Sequence, residues 1–164
     1  MTHEELYREL DIMPSRSVEM KVLDKDLHTF GLPKYESDKS AGMDLRAMFP
    51  EEELTINPGQ VALIPTGLAI HIDKATQAIH ILPRSGLGHK RGLVLGNLVG
   101  LIDADYQDQL MVSFWNRGSE PQTIKRGERI AQMVLMPIIR FDLIEVEEFA
   151  DTGRGGGWGH TGTN

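Results

Sequence analysis

Ile130-Ala131-Gln132-Met133-Val134-Leu135-Met136-Pro137-Ile138-Ile139 is the stretch on which the fold class turns. An apolar run of this length fits a buried helix or a strand equally well by periodicity alone. Pro137 would remove a hydrogen bond from a helix interior, and the β-branched residues after it favour extended backbone, so the run is read as a strand. Outward from it, residues 18–23, 54–56, 61–64, 68–72, 78–82, 109–116 and 140–146 show the short spacing of strands, punctuated by Gly, Pro and Asn. Asn57-Pro58-Gly59 and Asn116-Arg117-Gly118 are turn clusters of the kind that joins antiparallel strands. Long helical periodicity is nearly absent. Residues 2–10 fit a short helix or a frayed tail, ended by Met13-Pro14-Ser15. Many short strands without intervening helices predict an all-β sandwich or barrel.

The chain has 164 residues, and its 17 glycines added to a 40% apolar share give the composition of one globular domain. The absence of cysteine excludes a disulfide scaffold, thiolate chemistry and the usual structural zinc sites. Residues 1–10 carry three glutamates and no apolar core, which argues against a secretory signal or a transit peptide. No uncharged apolar run reaches the roughly 18 residues of a membrane span. The expectation is a soluble cytoplasmic protein with an N-terminal extension over 1–17, a β domain over 18–148 and a glycine-rich C-terminal segment over 149–164. Net charge −7 argues against broad nucleic-acid binding. It does not exclude a local phosphate site, because charge beyond a Debye length of roughly 8 Å is screened.

Four segments carry candidate chemistry. Residues 83–92 (PRSGLGHKRG) place Arg84, Ser85 and Gly86 in a glycine-rich turn after a strand, where backbone N–H groups can form an anion nest or simply a basic turn. Residues 100–106 (GLIDADY) put Asp103 at the end of an apolar strand, as a poised general base or as a polar turn closing a hairpin. Arg129 and Gln132 open the next strand as site residues or as solubilising polar groups. The tail 153–162 (GRGGGWGHTG) is a disordered end or a lid over a ligand. Its Gly157-Trp158-Gly159-His160-Thr161-Gly162 has the glycine spacing of a dinucleotide loop, yet only two residues follow, so no helix can open there. His71, His80 and His89 show no metal-ligand spacing.

Taken together, these segments resemble the homotrimeric dUTPase family over about residues 18–162. Its five ordered motifs are matched by Ala41-Gly42-Met43-Asp44-Leu45-Arg46-Ala47, by 83–90, by 95–106, by 127–132 and by the glycine-rich tail. The resemblance implies a distorted antiparallel β-barrel of jelly-roll kind, a homotrimer with tail exchange, and sites built from three subunits. It implies hydrolysis of dUTP to dUMP and pyrophosphate by water attack on the α-phosphorus, limiting dUTP and supplying dUMP for thymidylate synthesis. Mg2+ is then held by the substrate phosphates and water, with no direct protein ligand.

By the same resemblance Asp103 activates the water, with Gln132 beside it. Arg84, Ser85, Gly86 and Arg129 meet the phosphates, supported by Asp44. Asn97 with the backbone of Leu101 and Ile102 reads uracil, Met111 on the same hairpin lines its pocket, and Tyr106 packs on deoxyribose. In the tail Arg154 clamps the γ-phosphate, Trp158 covers uracil, and Gly159 and Thr161 lie near the phosphates. Two departures stand out: three residues rather than four separate Arg154 from Trp158, and Asp108 replaces a frequent glycine. Two rival functions remain. A dCTP deaminase is disfavoured because Pro83-Arg84-Ser85-Gly86 lacks the second serine of that turn. A nucleotide-gated role with a regulatory protein partner would use the N-terminal extension.

Overall fold

Alternation along one central strand shows which side faces inward. On β8 (Gln109–Asn116) every second residue is buried, so Leu110, Val112, Phe114 and Asn116 point into the core. The computed structural model describes residues 17–150, and its strands form three antiparallel sheets. In the first, β1 (Glu19–Val22), β4 (Val61–His71), β8 and β6 (Leu93–Leu95) lie side by side in that order. In the second the order is β2 (Met43–Arg46), β10 (Arg129–Pro137), β5 (Gln77–Pro83) and β7 (Gly100–Ile102). The third is the pair β3 (Glu53–Ile56) and β9 (Gln122–Lys125). All three contribute to one core, in which Leu45, Ile64, Leu68, Leu93, Phe114 and Ile130 are fully buried. The helices are short, α1 (Leu27–Phe30) and α2 (Ser85–Arg91). No described helix is long and apolar enough to cross a membrane.

The all-β expectation holds, and the ambiguous run is β10, which pairs with β5 on one side and β2 on the other. Five local readings are corrected. The runs 61–64 and 68–72 are one strand, β4, with a register shift between Pro65 and Ala69. Gly67 makes the bulge: its φ is +71°, and a Cβ there would come within 2.8 Å of the Asp24 side chain. Residues 140–146, read as a strand, form none. After Pro137 the backbone makes one more bond, Ile138 N to Thr76 O at 2.8 Å, and then leaves the sheet with Ile139, Phe141, Leu143 and Ile144 strongly exposed. Their alternation is strand-like, but periodicity does not supply a partner. The glycine-rich turn after β5 is in fact the helix α2, closed by Gly92 in the left-handed region.

The two turn clusters do not close hairpins, because the strands they join enter different sheets. They meet each other instead: Gly59 N donates to Asn116 O at 2.8 Å, and Asn116 N donates to Gln60 O at 3.0 Å. The Asn116 side chain completes the knot, donating to the carbonyls of Ile56 and Glu120 and accepting from Gly118 N. It is fully buried. Asn116→Ala therefore leaves several polar groups unpaired, and the unfolding free energy should fall by about 2–4 kcal/mol, read as a lower urea midpoint at unchanged m-value.

Candidate functional site

On β2, Leu45 turns into the core, so Asp44 and Arg46 face the other way. β2 pairs with β10 at Gln132↔Asp44 and Arg129↔Arg46, and β10 pairs with β5 at Ala131↔Pro83. Three strands thereby bring Asp44, Arg129, Gln132 and Arg84 to one cavity of about 670 Å³, whose other walls include Glu36, Ser40, Gly42, Ser85 and Gly86. One oxygen of Asp44 takes Arg84 Nε at 3.2 Å and the other takes Arg129 Nη1 at 3.3 Å. Arg84 Nη1 also donates to the Arg129 carbonyl at 2.9 Å, and Gln132 Nε2 to the Pro83 carbonyl at 3.1 Å. Arg129 Nη2 meets Glu36 Oε1 at 3.0 Å.

Arg46 stands behind this group, donating to the carbonyls of Gly31 and Gly127 at 3.1 and 2.7 Å. Burial, and then the charge of Arg129, push its pKa below the ordinary arginine value, with Arg84 adding to the lowering; Asp44 and Glu36 pull it back up. Three guanidinium groups thus face two carboxylates. The surplus positive charge suits an anion, and Asp44 keeps two of the arginines aimed at the same space. A Cβ built on Gly86 would meet nothing within 4 Å, so packing does not demand glycine at this wall.

The other expected residues lie elsewhere. Asn97, Leu101, Ile102 and Met111 line a second, smaller cavity of about 100 Å³ with Gly100 and Ser113. They do not belong to one hairpin, a further correction: β7 pairs with β5, whereas β8, which carries Met111, pairs with β4 and β6. Leu98, beside Asn97, has φ +65°, so the connection between β6 and β7 is a tight one. Asp103 lines a third cavity of about 370 Å³ with Asp105, Gln77 and Arg140. Tyr106 follows in the same turn, its N–H donating to Asp103 O at 3.2 Å and its hydroxyl to Gln109 O at 2.9 Å. Asp108 keeps a negative φ, so replacing glycine there costs no backbone strain. Arg154, Trp158, Gly159 and Thr161 lie outside the described residues.

The spacing between these places is set by β5. Ile102 pairs with Ile79, which puts Asp103 beside Ala78, six positions before Arg84. At the usual strand rise that separation is about 20 Å. Two residues, Glu36 in the wall of the arginine cavity and Arg46 behind it, were given no role by the sequence reading. Glu36 sits in a polar loop with no spacing signal, whereas Arg46 could have been found from its alternation with Asp44. Among the described residues no three His, Asp or Glu side chains converge to hold a metal.

The chain as a whole is similar to known proteins. A family model described as dUTPase matches residues 28–162. The chain is 57% identical over 148 residues to the deoxyuridine 5'-triphosphate nucleotidohydrolase of Shewanella pealeana, spanning 89% of this chain and 97% of that protein. It is equally similar, 57% over 150 residues, to the protein of the same description from Pseudomonas paraeruginosa, spanning 90% and 99%. Among solved structures, a variant of the Staphylococcus bacteriophage 80alpha dUTPase with dUpNHpp superposes with a TM-score of 0.77 at 25% identity, over 90% of this chain and 99% of that one.

The geometry of the arginine cavity gives a direct expectation. Inorganic pyrophosphate should bind there, and Arg84→Gln, which removes a charged donor, should weaken it by about tenfold or more in calorimetry.

Proposed function

The chain belongs to the dUTPase family and hydrolyses dUTP to dUMP and pyrophosphate, and we propose that it does so with Asp103 of one copy acting on a triphosphate held in the arginine cavity of another. The observation that carries this reading is the separation of about 20 Å along β5. A general base must come within hydrogen-bond reach of the attacking water, about 3 Å. The water must itself lie against the α-phosphorus, yet within one copy Arg84 and Asp103 lie at opposite ends of β5 and line separate cavities. Juxtaposing different copies removes the conflict, and a homotrimer closed by a threefold axis repeats the arrangement at every site. The exposed Ile139, Phe141, Leu143 and Ile144 support the same assembly, since a segment this apolar favours cover from a neighbour.

In this reading Arg84 and Arg129 bind phosphate oxygens, and the Ser85 hydroxyl adds a donor. Gly86 leaves open the space in which a phosphate lies against the backbone. Asp44 spends its charge on holding both arginines. Asp103 takes a proton from water as the water oxygen bonds to the α-phosphorus; the bond from that phosphorus to the bridging oxygen breaks, and pyrophosphate leaves. Gln132, fixed by its bond to Pro83 O, orients the water with its free amide oxygen. Asn97 with the backbone of Leu101 and Ile102 offers donors and acceptors to the uracil edge, and Met111 forms an apolar wall. Tyr106, tethered at its hydroxyl, presents its ring to the deoxyribose and excludes a 2′-hydroxyl. Arg154, Trp158, Gly159 and Thr161 would close the site from a third copy as a lid that excludes water.

The residues present fit Mg2+ carried by the substrate rather than held by the protein, because both oxygens of Asp44 are engaged by arginines, Glu36 beside it is paired with Arg129, and among the described residues no three carboxylate or imidazole groups cluster to hold a metal. When bound, the ion would neutralise phosphate charge and stiffen the triphosphate.

Asp103→Asn tests the assignment of the base. It should bind dUpNHpp with a Kd within about twofold of the parent and lose about a thousandfold in kcat. Substantial turnover in that variant would remove Asp103 from the reaction.

A further inference from the structure

We infer that Glu36 is an anionic latch on the phosphate cavity: its carboxylate holds Arg129 until a substrate polyanion displaces it, and it thereby sets the affinity for phosphate-bearing ligands. The inference rests on the reading that Arg129 meets the substrate phosphates.

Both terminal nitrogens of Arg129 are engaged by carboxylates, Nη1 by Asp44 at 3.3 Å and Nη2 by Glu36 at 3.0 Å. The two acids are held very differently. Asp44 lies on β2, in register with Gln132 of β10, its side chain is 20% exposed, and it grips Arg84 as well. Glu36 lies between α1 and β2, outside regular structure, and its side chain is 44% exposed. It can swing into solvent, whereas Asp44 cannot leave without freeing both arginines.

A guanidinium binds phosphate best through two parallel N–H groups. With Nη1 committed to Asp44, the open edge of Arg129 includes Nη2, which is where Glu36 sits. A triphosphate arriving there competes for the same donor and repels the carboxylate. Every ligand whose phosphate reaches Arg129 must displace Glu36, while a nucleoside without phosphate need not. The two acids of one cavity therefore have opposite consequences: Asp44 shapes the site for anions, and Glu36 competes with them.

The test compares Glu36→Gln with the parent in the Kd of dUpNHpp, the Kd of inorganic pyrophosphate and the Kd of deoxyuridine, with Tm measured alongside. Losing one half-exposed ion pair should tighten dUpNHpp and pyrophosphate by about two- to fivefold and leave deoxyuridine unmoved. Glu36→Asp, one methylene shorter, should behave like Glu36→Gln because it no longer reaches Nη2. Unchanged or weaker pyrophosphate binding in Glu36→Gln overturns the latch, and weaker binding with a lower Tm would make Glu36 a prop for Arg129. Arg129→Gln separates the two levels. If it weakens pyrophosphate while Glu36→Gln fails to tighten it, the latch alone is wrong; if Arg129→Gln changes nothing, the placement of Arg129 on the phosphates is wrong.

Discussion

Seven consecutive residue pairs between β5 and β10, from Ala131↔Pro83 to Pro137↔Gln77, fix where everything else in the site can be. At one end of this ladder the chain leaves β5 into α2 and presents Arg84 and Ser85 beside Arg129 and Gln132. At the other end β7 joins β5 and delivers Asp103. A paired strand cannot shorten, so Arg84 and Asp103, the phosphate binder and the base of the proposed mechanism, are held apart within one copy as rigidly as they are held in place. The same ladder that orders both halves prevents them from meeting except across copies.

Charge is organised just as locally. The chain carries −7 overall, yet one cavity gathers Arg84 and Arg129 around Asp44 and Glu36, with Arg46 close behind them. Like charges this close repel, and the arrangement holds because Asp44 takes one donor from each of Arg84 and Arg129 while backbone carbonyls of Gly31 and Gly127 take those of Arg46. A second arginine centre makes the contrast clear. Arg126 meets Asp26 and Asp24 at 2.9 and 2.7 Å, and these hydrogen bonds raise its pKa above the ordinary value. Its charge is fully used in joining the β9–β10 turn to the segment before α1. The cavity arginines retain a surplus, which is what the proposed phosphate site requires.

Much of this was legible in the sequence. Pro137 and its β-branched neighbours identified β10, and alternation over 109–116 identified β8. Arg84, Ser85, Gly86, Asp44, Arg129 and Gln132, spread over 88 positions between Asp44 and Gln132, do share one cavity. What failed was partnership. Asn57-Pro58-Gly59 looks like a hairpin turn because local chemistry specifies a reversal and not the strand that pairs next. Residues 140–146 alternate like a strand, but no described edge receives them. Gly67 hid the continuity of β4, since a glycine between apolar runs reads as a break when it is a bulge. Glu36 was invisible because its role comes from a distant arginine 93 residues later in the chain, and no periodicity records that contact.

The central claim is that the site is composite, and mixing inactive variants tests it directly. Asp103→Asn and Arg84→Gln chains would be prepared separately, unfolded together in equal amounts, refolded and assayed for pyrophosphate release from dUTP. Random assembly into trimers should restore about a quarter of parental activity, because each mixed trimer has one site that draws an intact Arg84 and an intact Asp103 from different copies. A mixture no more active than the two variants alone would show that base and phosphate cavity must come from the same chain, and would contradict the account.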